Sequence, residues 1–90
     1  MTAQLNLLDN LVASLPPRLY LCRINPRRRM SRFYVLAIEP TLFGGYSLVR
    51  EYGRIGRGGR VMREFFTTAE AAIREYRRLR RVKERRGYNL

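Results

Sequence analysis

The alternation of apolar and polar residues changes period twice along this chain, and the changes divide it into elements. Residues 1 to 15 carry Leu5, Leu8, Val12 and Leu15 at spacings of three and four, with Leu11 beside them. That spacing predicts a short amphipathic helix, stopped by Pro16-Pro17. From Arg18 the period drops toward two. Leu19 to Ile24 predicts a strand, closed by Asn25-Pro26 and a basic turn through Arg27, Arg28, Arg29 and Arg32. Phe33 to Glu39 is apolar on both faces, as expected of a central strand covered on both sides. A loop over Pro40 to Gly45 leads to a third strand, Tyr46 to Ile55. Gly56 to Gly59 supplies a tight hairpin turn, and Val61 to Phe66 a fourth strand. The period then returns to 3.6.

Thr67 to Arg86 predicts a second helix, with Thr67 and Glu70 as a capping box and Gly87 just past its end. Ala69, Ala72, Ile73, Tyr76 and Leu79 form its apolar stripe, while Arg74, Arg78, Arg81 and Arg85 line the opposite side. Lys83 projects near the middle of the apolar stripe. The order helix, four strands, helix predicts an α+β fold: a four-stranded antiparallel meander, a C-terminal helix packed on one face and a short N-terminal helix. Two regions follow, an amphipathic segment over 1–17 and a domain over 18–90.

Charge adds what the apolar pattern lacks. Nineteen basic residues against seven acidic give a net charge of +12 on 90 residues. Self-repulsion of that size implies a counter-charged partner, with nucleic acid the first candidate. All of the basic residues but Lys83 are arginine, whose planar fork suits bidentate phosphate contact and stacking on bases.

Catalytic chemistry is poorly supplied. The chain has no histidine, the single aspartate Asp9 and the single cysteine Cys22, which excludes an internal disulfide or a multi-cysteine zinc site. No serine or threonine sits in a nucleophile elbow or phosphate loop. The expectation is a binding module with no enzyme activity, cofactor or metal. The longest apolar run, Phe33 to Ile38, is far short of a membrane span, and the absence of a signal pattern makes cytoplasmic location the default.

The segment Arg50-Glu51-Tyr52-Gly53-Arg54-Ile55-Gly56-Arg57-Gly58-Gly59-Arg60 concentrates these features. On a strand, alternation puts Arg50, Tyr52 and Arg54 on one face, an aromatic between two guanidinium groups beside a glycine-rich turn. Tyr52-Gly53-Arg54-Ile55-Gly56 resembles the signature of the WGR domain, named for Trp-Gly-Arg at the end of a strand and found in DNA-dependent poly(ADP-ribose) polymerases. The resemblance continues through the strand ending at Phe66, the helix opening Thr67-Thr68-Ala69-Glu70-Ala71-Ala72, then Lys83 and Gly87-Tyr88. It covers about residues 18 to 88, with tyrosine in place of the name tryptophan.

The resemblance implies a nucleic-acid partner, DNA favoured over RNA, with Tyr52 as the stacking residue and Arg54 as a phosphate or partner contact. Arg50 before that pair and Arg57 and Arg60 after it are further candidate nucleic-acid contacts. The basic turn Arg27, Arg28 and Arg29 and the helix stripe are further candidates for phosphate contact. The alternative is a protein-interaction or self-association module, docking through residues 5–15 or holding an acidic partner.

Overall fold

The computed structural model describes residues 15–90. The expected N-terminal helix lies outside the described residues, apart from Leu15, which packs against the core. The elements are β1 (Leu19–Asn25), a 3-10 turn (Pro26–Arg28), β2 (Met30–Pro40), β3 (Tyr46–Arg54), β4 (Arg60–Phe66) and α1 (Ala69–Arg85). The strands form one sheet in the order β1-β2-β3-β4, every pair antiparallel. This is the expected meander, because each connection is short enough to return a strand beside its predecessor.

One face of the sheet packs on α1. Leu19, Leu21, Tyr34, Leu36, Ile38 and Leu48 from the strands meet Ala72, Tyr76 and Leu79 from the helix. The helical residues recur at spacings of four and three, so one stripe faces the sheet. Leu21, Leu36 and Leu48 are fully buried, and each such side chain stabilises the fold by about 1.5–3 kcal/mol. The Tyr76 hydroxyl donates to the Pro17 carbonyl at 2.8 Å, tying the chain's entry into β1 to the helix.

On the other face, Phe33 and Val35 are buried, as the doubly apolar pattern of β2 requires. The Tyr20 ring stacks on Phe33 with centroids 5.9 Å apart, and Gly53 and Gly59 lie against the same ring. A Cβ on Gly59 would fall 2.6 Å from Phe33 Cζ and 2.9 Å from the Tyr52 carbonyl oxygen. The glycine turn therefore serves close packing as well as chain reversal, with Gly56 at φ +86 supplying the reversal.

Several boundaries differ from expectation by a residue or more, three of them with an identifiable contact behind them. The helix is capped by Thr68, whose hydroxyl accepts from the Ala71 N–H at 3.2 Å. Thr67 with Glu70 therefore does not make the capping box, because the first helical residue is Ala69 and Glu70 stands one place early. Met30 to Arg32 belong to β2, since Ser31 and Arg32 pair with Ile24 and Arg23 of β1. β3 ends at Arg54, where Ile55 turns its N–H to the Ser31 carbonyl at 3.0 Å.

The helix ends as Gly87 predicts. At φ +95 it lets its own N–H reach the Glu84 carbonyl and the Tyr88 N–H reach Lys83, each at 3.0 Å. This paired closure satisfies two carbonyls at the helix end and turns the chain back over the sheet. Asn89 then exchanges two backbone hydrogen bonds with Cys22, at 2.8 and 3.0 Å. The returning tail thus covers part of the β1 edge. No helix among the described residues is long and apolar enough to cross a membrane.

Candidate functional site

Strand register brings distant arginines together. Alternation from the buried Leu19 and Leu21 puts Arg23 on the helix-side face of β1, and alternation from Tyr34 puts Arg32 there on β2. On β3 the buried Leu48 sets the same face for Arg50, Tyr52 and Arg54. Pairing then aligns Arg23 with Arg32 and Arg32 with Arg54, three arginines in one row across three strands. Like charges directly opposite one another destabilise a sheet. The next row is Leu21, Tyr34, Tyr52 and Arg60.

Beside the arginine row lies a cleft of about 320 Å³, lined by Arg28, Arg29, Met30, Ser31, Arg32, Gly53 and Arg54. The basic turn and the Tyr-Gly-Arg strand end, 22 residues apart in sequence at Arg32 and Arg54, thus share one cavity. Pro26 starts the 3-10 turn, where its fixed φ suits the first position. Arg29 ends it at φ 51, ψ 38, with its N–H on the Pro26 carbonyl at 3.1 Å. A bulky residue in this left-handed conformation costs about 1–2 kcal/mol. A guanidinium thus stands at the cleft wall where glycine would be conformationally easier.

Tyr52 is half-buried. Its ring stacks on Tyr34, with centroids 5.8 Å apart and planes 17° from parallel, and its hydroxyl donates to Met62 Sδ at 3.4 Å. Arg50 lies on the same face but further under the helix, with its Nε buried and without a hydrogen-bond partner among the described residues. The expected face of Arg50, Tyr52 and Arg54 is therefore graded, from half-buried Arg50 and Tyr52 to exposed Arg54. Burial pushes the Tyr34 hydroxyl above its ordinary range, against the pull of the Arg50 guanidinium.

Lys83 completes this end of the molecule. Its ammonium lies 4.5 Å from the Tyr34 ring centroid and 5.4 Å from that of Tyr88, and the two rings meet edge to face. The lysine in the apolar stripe therefore turns onto aromatic faces, an attraction worth about 0.5–1 kcal/mol at exposed sites. Burial lowers its pKa, and Arg86, Arg50 and Arg32 lower it further by repulsion. The helix C-terminus, with its partial negative charge, offsets some of this crowding.

The remaining candidates are spread out. Arg27 and Arg57 are exposed on the two turns but do not line the cleft. Arg60 opens β4 opposite Tyr52. Arg74 and Arg81 line a shallow depression of about 490 Å³ with Glu70, Ile73 and Arg77. Arg74, Arg78 and Arg81 also border a second one with Glu64, Phe66, Ala71 and Glu75. Arg78 is already engaged: its fork meets the two Glu75 oxygens at 2.7 Å each. That hydrogen bonding holds the Glu75 carboxyl below its ordinary range and raises Arg78. Arg85 is exposed in the last helical turn and lines none of these depressions.

Sequence reasoning passed over Arg23 and the tyrosines 34 and 88. Alternation could have placed Arg23 on the face of Leu19 and Leu21. The meeting of Tyr34, Lys83 and Tyr88 carries no such local signal, because it depends on how the helix end folds back. Among the described residues no group of histidine, cysteine, aspartate or glutamate is arranged to hold a metal ion.

A single antiparallel sheet, one C-terminal helix and an arginine-lined cleft at the end of the third strand define a small α+β module. The chain belongs to the WGR domain family, whose model matches residues 18–90. It is also 46% identical over 80 residues to "Uncharacterized protein y4dW" of Sinorhizobium fredii (strain NBRC 101917 / NGR234). That match spans 89% of this chain and 39% of the relative's own length. No solved structure matches the chain at a significant level.

Proposed function

We propose that the protein is a non-catalytic nucleic-acid-binding module, DNA favoured, that holds backbone phosphate in the cleft between the basic turn and the end of β3. The observation that carries this reading is the convergence of Arg28, Arg29, Arg32 and Arg54 on one cavity. Four guanidinium groups with no carboxylate among the lining residues match the charge and hydrogen-bonding capacity of phosphate. Membership of the WGR family is consistent with nucleic-acid binding in general.

Arg54 and Arg32 supply the central contacts, with Arg28 and Arg29 on one side and Arg23 extending the row. Tyr52 presents its remaining surface beside Arg54 and packs on a sugar or base. Arg57, Arg60 and Arg27 attract the strand electrostatically from the turns. Arg74, Arg81 and Arg85 add to the field from the helix, and Arg78 contributes less because Glu75 holds it.

The test is competition binding among double-stranded, nicked and single-stranded DNA and RNA at several salt concentrations. Affinity is expected to fall steeply with salt, because each phosphate contact displaced contributes a slope of about 0.9 on duplex DNA. Arg54→Ala is expected to flatten that slope, and Tyr52→Ala to weaken binding by about 1–3 kcal/mol. Salt-independent binding, or none to any probe at low salt, would overturn the proposal.

A further inference from the structure

The two edges of the sheet are treated differently. The β1 edge is partly covered by the returning tail through Asn89, whereas among the described residues β4 has no strand on its outer side. Six of the seven β4 residues, Arg60 to Phe65, are exposed. An edge of this kind presents a row of unpaired N–H and C=O groups, which templates pairing with another strand. The residues along β4 suit one particular partner.

We infer that β4 pairs antiparallel with β4 of a second copy of this chain, about a two-fold axis through Met62, so that Arg60 of each copy meets Glu64 of the other.

The argument is one of symmetry and charge. Two identical antiparallel strands extending one sheet are related by an axis perpendicular to it, so the axis must pass through a residue position. Centring on Arg63 sets arginine against arginine, and centring on Glu64 sets glutamate against glutamate. Centring on Met62 gives two Arg60–Glu64 pairs and one Met62–Met62 pair on the helix-side face. It also sets Val61 against the stem of Arg63 on the other face. Neither Arg60 nor Glu64 takes part in an ion pair among the described residues, so both are available. Arg63 is held by Glu39 at 3.1 Å, which keeps its charge away from the axis. Met62 is 40% and Val61 51% exposed, so pairing would also remove apolar surface from water. The product is one eight-stranded sheet with both helices on the same face.

The test uses cysteine capture and charge exchange in about 0.3 M salt, where the Debye length of about 6 Å limits repulsion between the two copies. Opposed residues at the axis would lie about 4.5–5.5 Å apart at Cα, within disulfide reach. In a Cys22→Ala background, Met62→Cys is expected to form an intermolecular disulfide under a glutathione redox buffer about tenfold faster than the exposed control Thr67→Cys. By sedimentation equilibrium, Arg60→Glu and Glu64→Arg are each expected to weaken self-association about tenfold, because each creates two like-charge pairs. The double variant Arg60→Glu/Glu64→Arg is expected to restore it. Arg60, Met62, Glu64 and Thr67 are exposed and Cys22 is half-buried, and circular dichroism confirms folding before each measurement. Disulfide formation no faster than the control, or a double variant no better than the single ones, overturns the inference.

Discussion

Arg32 on β2 stands directly opposite Arg54 on β3, with Arg23 beyond it on β1. Three like charges in register weaken the free protein and together create a field suited to an anion. Stability and affinity should therefore respond in opposite directions when one of them is removed.

Arg54→Ala is expected to leave the free protein as stable as wild type, or more stable by about 0.2–1 kcal/mol, while lowering affinity for nucleic acid. Urea unfolding and binding on the same sample check this. A variant that loses stability and binding together would show Arg54 to be a packing residue instead.

Gly59→Ala is expected to destabilise the fold by about 1–3 kcal/mol, because the added methyl meets the Phe33 ring and the Tyr52 carbonyl. The same collision displaces Tyr52 and Gly53, so binding should fall in parallel. The contrasting control is Gly58→Ala, whose Cβ has nothing within 4 Å among the described residues. It should change the urea midpoint far less.

Gly87→Ala is expected to cost about 1–2 kcal/mol, since alanine is disfavoured at φ +95. The helix end then frays. Tyr88 leaves Lys83 and Tyr34, and the Asn89 bridge to Cys22 opens. Amide hydrogen exchange at Cys22 and Asn89 should accelerate more than exchange at Leu48 in the middle of the sheet.

Burial raises the hydroxyl pKa of both Tyr34 and Tyr76. In the unfolded chain these groups ionise near their ordinary value of about 10. Their contribution to stability is therefore complete below that pH and is lost as the pH rises through their raised folded values. Near-ultraviolet titration of the folded protein should show late-ionising tyrosines, and Tyr34→Phe should remove one of them. Unchanged alkaline curves in that variant would mean that Tyr34 is not buried as described.

Which face a residue shares along one element was legible in the chain. The two-residue repeat grouped Arg50, Tyr52 and Arg54, and the 3.6-residue repeat set Ala72, Tyr76 and Leu79 on one stripe. Gly87 marked the helix end because few other residues adopt its backbone conformation readily. The capping residue was displaced by one place, since Thr67 and Thr68 are chemically alike and only the path of the chain chooses between them.

The sequence by itself determined the order of the four strands and the C-terminal helix, the WGR signature and the excess of positive charge, because these depend on neighbours within a few residues and on composition. The tertiary structure alone decided that Arg32 meets Arg54, that Arg50 runs under the helix, and that Lys83 rests on Tyr34. Cross-strand register and the packing angle of the helix set those encounters. Both follow from the joint burial of Leu21, Leu36, Leu48 and Leu79, which no single segment specifies.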